Sequence, residues 1–205
     1  HPKLFKTQIR ALLRASVYGN LKIMFPMIAT KDEFLRAKQI VEDVKKEFDN
    51  ENTAYGTYEL GIMIEIPSAA LSAEILAKEV DFFSIGTNDL IQYTFAADRM
   101  NESLSYLYQP FHPSILRLIQ MVTDAANKAG KWVGVCGEMA SNLYAGPLLV
   151  GLGVKELSMT PSMILKMRKT FSHLSFKDLQ QIASNVLELE SEEEILLQLK
   201  EIIHI

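Results

Sequence analysis

Four short stretches hold the residues able to do chemistry. GIMIEIP sets Glu65 in an otherwise apolar run that Pro67, suited to a first helical position, brings to a close. An isolated buried carboxylate is costly, so Glu65 is expected to be paired, protonated or bound to a metal. Lys22 on the neighbouring strand is the non-metal alternative. DFFSIGTNDLIQ sets Asn88 and Asp89 at the end of the next apolar run. A second carboxylate there gives two hard oxygen ligands side by side, and Mg²⁺ is often held by one or two carboxylates with substrate phosphate filling its octahedron. The plainer reading of Asn88-Asp89 is a helix N-cap. Gly86 lets the backbone turn sharply, and the N–H groups of Thr87 to Leu90 at a helix start would cradle an anion.

Arg99, in TFAADRM, could fork onto a carboxylate or phosphate, or lie on the surface. Cys136 sits in VGVCGEMAS between Gly134 and Gly137 and next but one to Glu138. It is either a small core residue or a thiol acting as general acid or nucleophile. His112, between two prolines, reads as a packing or rim residue. His173 and His204 have no partners at metal-ligand spacing and read as surface residues. Met24, Met27, Met63 and Met139 read as core filler or as walls of a pocket.

The elements that must position these groups are legible in the hydrophobic pattern. LKIMFPM at 21–27, LGIMIEI at 60–66, DFFSIG at 81–86, WVGVC at 132–136 and KELSM at 155–159 read as strands apolar on both faces. Helical spacing fills the gaps, as in KDEFLRAKQIVEDVKKEF, where Phe34, Ile40, Val41, Val44 and Phe48 recur behind a Thr30 cap. Strands joined by helical crossovers imply a parallel sheet covered by helices. The last third reads as two amphipathic helices, with the acidic run from Glu188 to Glu194 a solvated helix start.

Glu65, Asn88, Asp89 and Cys136 all fall at the carboxyl ends of strands, where a (β/α)₈ barrel keeps its reactive groups. Five strands cannot close such a barrel, which takes roughly 250 residues. The expectation is therefore an α/β, (β/α)₈ TIM-barrel chain with about five of eight strands, a single domain over 1–205. The chain opens on a helix without an initiating Met, which suggests a fragment whose missing βα units lie upstream of His1. An open sheet edge would invite oligomerisation, strand exchange or disorder near the amino terminus.

Composition narrows the function classes. The chain has 205 residues, 48% hydrophobic and 22% charged, with a net charge of −4 from 21 basic and 25 acidic residues. Nothing suggests a nucleic-acid surface or a polybasic membrane patch, and no run is long enough to span a bilayer. One cysteine excludes an internal disulfide and points to a cytosolic, reducing compartment.

DFFSIGTNDLIQYTFAADR resembles, along its whole length, the carboxy-terminal signature of the phosphoenolpyruvate-utilising enzymes, and GIMIEIP and VCGEMAS resemble the motifs flanking it. LKIMFPMI, SYLYQPFHPSIL and the CGEMA form are similar to the enzyme I branch of that family, the phosphoenolpyruvate-protein phosphotransferases of bacterial sugar uptake. The likeness runs from about Leu4 to the end of the chain. It implies that Glu65 and Asp89 bind Mg²⁺, that Asn88 and the Asp89 backbone hold the phosphate, that Arg99 contacts substrate, and that Cys136 is the proton donor. It also implies phosphoenolpyruvate and pyruvate as substrate and product, a histidine-containing phosphocarrier protein as partner, and a homodimer. The family's phosphoryl-accepting histidine lies in an amino-terminal domain, and its other substrate-clamping arginines lie on early barrel strands; neither is present here. The 205-residue chain is thus expected to hold the metal-binding half of a site without turning over alone. Alternatives within enzymes are pyruvate phosphate dikinase, phosphoenolpyruvate synthase, or an unrelated metal-dependent lyase or aldolase barrel. A non-catalytic dimerisation module is the alternative outside them.

Overall fold

The computed structural model describes residues 1–203. Five strands, β1 (Leu21–Phe25), β2 (Tyr58–Ile64), β3 (Phe82–Gly86), β4 (Trp132–Cys136) and β5 (Glu156–Leu157), form one sheet in sequence order. Every neighbouring pair is parallel. The helices are α1 (Pro2–Ala15), α2 (Lys31–Glu51), α3 (Pro67–Leu71), α4 (Ala73–Leu76), α5 (Thr87–Phe95), α6 (Pro113–Lys128), α7 (Glu138–Ser141), α8 (Ala145–Gly151), α9 (Pro161–Phe171), α10 (Phe176–Leu187) and α11 (Glu192–Ile202). Consecutive parallel strands with helical crossovers are the expected segment of a (β/α)₈ barrel, here with an open sheet.

Local chemistry sets the element ends. Thr30 and Glu33 form a reciprocal capping box at the start of α2, whose Phe34, Val41, Val44 and Phe48 are buried. The α6 helix starts with Pro113 at its first turn behind His112, whose Nδ1 accepts the Ser114 N–H at 3.2 Å. His112 also meets the Phe95 ring edge-on at 5.0 Å, so of the packing and rim readings it is the packing one, with a capping role besides. Ser175 boxes with Asp178 at the start of α10, and Ser191 caps α11.

The two faces of the sheet differ. Ile23, Phe25, Ile62, Ile64, Phe83, Ile85, Val133 and Val135 point under the helices and anchor a hydrophobic core that continues through Val186, Leu199 and Ile203. The opposite face is not the apolar surface expected. There Lys22 pairs with Glu59, which also accepts the Trp132 indole N–H at 3.0 Å, while Trp132 stacks on Phe82 with ring centroids 4.5 Å apart. Hydropathy misses this layer because each strand contributes only one or two polar positions to it, spaced two apart.

Several sequence readings need correcting. Glu65 lies one residue beyond β2, and β5 is two residues long, shorter than the KELSM run. Lys22 is committed to Glu59 and does not pair with Glu65. Met139 is core, whereas Met27, past the end of β1, is 49% exposed, which removes only its core-filler reading. The α11 start is not wholly solvated: Glu192 accepts the Phe111 N–H at 2.9 Å. The amino terminus is the regular helix α1, with Ile9 and Leu13 buried against the core. His173 is exposed as expected, and His204 lies outside the described residues.

Candidate active site

The carboxyl ends of β1 to β4 meet at one mouth. Glu65 follows β2 and is only 3% exposed. Its Oε1 accepts the Met27 N–H at 2.7 Å, from a residue held in the left-handed region at φ 56°. Burial is the main influence lifting the Glu65 carboxyl above its ordinary value; the Met27 bond opposes it and the neighbouring Asp89 carboxylate adds to it.

Asp89 and Asn88 come from the first turn of α5. The helix cap is Gly86, not Asn88 or Asp89, so the capping reading of that pair does not hold. Gly86 has no side chain to offer and α5 has no side-chain cap, which leaves the helix-start N–H groups facing the mouth. Gly86 also makes room, since a Cβ there would lie 2.8 Å from Met63 Sδ and 3.0 Å from Glu65 Oε2.

Cys136 ends β4, in register with Gly86. Its half-buried Sγ lies 3.7 Å from the Ile85 carbonyl oxygen and 3.9 Å from Ser84 Oγ. Burial pushes the thiol up, the Ser84 hydroxyl opposes this, and the charges of Glu65 and Asp89 raise it further. The net effect favours the neutral thiol over the thiolate, the form that can give up a proton as an acid. The following residue, Gly137, has φ 100° and brings a second contact: a Cβ there would lie 2.6 Å from Thr87 Oγ1 and 3.0 Å from Asn88 Oδ1. Thr87 Oγ1 in turn donates to the Cys136 carbonyl at 3.1 Å, tying α5 to the end of β4.

Asn88 Oδ1 accepts the Tyr108 hydroxyl at 3.0 Å and the Glu138 N–H at 3.1 Å. Arg99 Nη1 stands 3.8 Å from Glu138 Oε1, and Arg99, Tyr108, Glu138 and Ser105 share a cavity of about 230 Å³. Glu65, Asn88, Asp89, Arg99 and Cys136 thus lie around one mouth. Tyr108 and the Met27 backbone belong to it as well. Tyr108 was not singled out from sequence because it lies on a loop and acts through Asn88, and Met27, read as core filler or a pocket wall, contributes through its main chain instead.

Among the described residues no group of three or more His, Cys, Asp or Glu side chains is arranged to hold a metal. The Glu65–Asp89 pair still fits Mg²⁺, which takes one or two carboxylates and completes its shell with water or phosphate oxygens. Two like charges brought together in a buried place are what a divalent cation would relieve.

Residues 1–176 match the family described as PEP-utilising enzyme, PEP-binding domain. Proteins named phosphoenolpyruvate-protein phosphotransferase are similar over nearly the whole chain. That of Priestia megaterium is 57% identical over 203 residues, 98% of this chain and 35% of its own length. That of Listeria monocytogenes is 59% identical over 194 residues, 94% of this chain and 34% of its own. The Bacillus subtilis protein is 55% identical over 200 residues, 97% and 35% respectively. The chain spans about a third of these relatives. A citrate lyase structure from Burkholderia xenovorans superposes with a TM-score of 0.60 at 16% identity, covering 94% of this chain and 66% of that one, a likeness of fold alone.

Proposed function

The chain belongs to the PEP-utilising enzyme family, whose PEP-binding domain it carries, and from that premise we propose that it forms the Mg²⁺- and phosphoenolpyruvate-binding part of a phosphoenolpyruvate-protein phosphotransferase. The observation that carries this reading is that Glu65, Asp89 and Cys136 gather at the carboxyl ends of neighbouring strands, around Gly86 and the uncapped start of α5. The names of the relatives at 55–59% identity favour protein as the phosphoryl destination.

In this reading Glu65 and Asp89 hold Mg²⁺, which supplies positive charge against the phosphoryl oxygens. The Asn88 side chain and the α5 N–H groups grip the phosphate. Arg99 leaves Glu138, 3.8 Å away and exposed, for the substrate anion. The P–O bond of phosphoenolpyruvate breaks as the phosphoryl group passes to a histidine nitrogen outside this site. The enolate left behind takes the Cys136 proton at its methylene carbon and becomes pyruvate. The thiolate is then reprotonated by water.

The phosphohistidine next hands its phosphoryl group to a histidine-containing phosphocarrier protein for sugar uptake. A cytosolic location and a homodimer complete the proposal. An exposed apolar groove among Leu71, Tyr93 and Met121 supports a self-associating surface. Among the described residues no helix is long and apolar enough to cross a membrane.

The test is pyruvate release from phosphoenolpyruvate by the gene product that carries this chain, supplied with Mg²⁺ and carrier protein. Mg²⁺-dependent release matched by phosphorylated carrier is expected. Release that instead needs a nucleotide acceptor would contradict the reading.

A further inference from the structure

The stretch SYLYQPFHPSIL contains a tyrosine that the mechanism above does not use. Tyr108 follows the 3₁₀ turn Glu102–Leu107 and is half-buried. Its hydroxyl lies 3.0 Å from Asn88 Oδ1, and the Glu138 N–H lies 3.1 Å from the same atom. A backbone N–H can only donate, so the Asn88 atom facing it is the carbonyl oxygen, and the amide orientation is fixed by chemistry. The tyrosine hydroxyl must then donate as well. Both acceptor positions of Asn88 Oδ1 are filled, and the Asn88 NH₂ group is left with two hydrogens to give.

We propose that Tyr108 is a positioning residue for substrate: with the Glu138 N–H it locks the Asn88 amide so that its NH₂ group faces an incoming phosphate. Were the amide free to flip, half of its orientations would turn an acceptor oxygen toward the anion and repel it. Tyr108 and Arg99, the other proposed substrate residue, line the same cavity; burial above all, with the Glu138 charge, pushes the phenol up, and Arg99 opposes this. The hydroxyl is thus bonded to the Asn88 amide in the cavity that Arg99 also lines, and SYLYQP gains a function in binding.

The inference rests on the proposed function, and a double-mutant cycle separates the two. In the gene product carrying this chain, Tyr108→Phe, Asn88→Ala and the double variant are compared for KM toward phosphoenolpyruvate and for kcat. Loss of one hydrogen bond predicts that Tyr108→Phe raises KM about five- to tenfold with kcat changed less than about twofold. Acting through Asn88, it adds nothing once Asn88 is gone, so the double variant should match Asn88→Ala within about twofold. Multiplying effects, or a Tyr108→Phe enzyme with unchanged KM, would overturn the positioning role and leave the proposed function standing. An Asn88→Ala enzyme with unchanged KM would overturn both.

Discussion

The Glu65 carboxylate reaches across the sheet mouth to take the Met27 N–H at 2.7 Å, tying the loop after β1 to the end of β2 through one oxygen. The other oxygen, Oε2, faces the space above Gly86, on the side where Asp89 stands. One oxygen anchors the side chain and the other is left to bind. That division of labour explains how a carboxylate 3% exposed holds its place before any ligand arrives.

Replacing Glu65 by Gln keeps the Met27 bond and removes the charge. Because the folded carboxyl is raised above its ordinary value, wild-type stability is fully present below that value and falls as pH rises through the raised one. Glu65→Gln should therefore gain about 1 kcal/mol over wild type at pH 7 to 8 in urea unfolding, with the gain shrinking toward pH 4. Added Mg²⁺ should stabilise wild type and not the variant. An equal Mg²⁺ effect on both proteins would remove Glu65 from the metal site.

At Gly86 stability and function should separate. A Cβ would press on Met63 Sδ at 2.8 Å and Cγ at 3.1 Å and on Glu65 Oε2 at 3.0 Å, side-chain atoms rather than backbone. Gly86→Ala should cost less than about 1 kcal/mol in unfolding yet weaken Mg²⁺ binding by more than about tenfold, since Glu65 must swing aside. A fall in both measures by the same free energy would mean that Gly86 serves only the fold.

Cys136→Ala should leave phosphoryl passage from phosphohistidine to carrier within about twofold and slow pyruvate formation by about 10² or more, the usual reach of a general acid. Equal damage to both steps would contradict the proton-donor role. The thiol itself should react with iodoacetamide only at higher pH than a free cysteine. Asp89→Asn should lower that pH, because the Asp89 charge helps hold the proton on.

Much of this mouth was legible in the sequence, for a physical reason: residues that end strands and start helices carry type and spacing together, as Glu65-Ile66-Pro67 and Gly86-Thr87-Asn88-Asp89 do. The parallel sheet followed from five apolar runs separated by capped helices. What escaped was long-range. Nothing local to Lys22 tells that it pairs with Glu59, 37 residues away, and Tyr108 meets Asn88 across 20 residues and a loop. Met27 contributes a main-chain N–H, which no side-chain pattern reports. The extent of β5 was overstated because KELSM has strand-like residues but only two that pair.

The Lys22–Glu59–Trp132 layer offers a prediction of its own. Lys22 first and the Trp132 indole second hold the Glu59 carboxyl below its ordinary value of 4.5. Its stabilising effect is therefore present above that value and lost as pH falls through the depressed one. Glu59→Gln should flatten the acid limb of the stability profile below pH 4.5. Half-exposed as the pair is, the effect should also shrink in high salt. An acid limb unchanged by the substitution would show that the pair contributes nothing measurable.

The most direct test of the central claim is a calorimetric titration of the gene product carrying this chain with phosphoenolpyruvate, in Mg²⁺ and then in EDTA, repeated with Asp89→Asn. If Glu65 and Asp89 hold the cation that receives the phosphate, wild type binds in Mg²⁺, loses that binding in EDTA, and Asp89→Asn binds weakly in both. Binding that survives both EDTA and the loss of Asp89 would contradict the account.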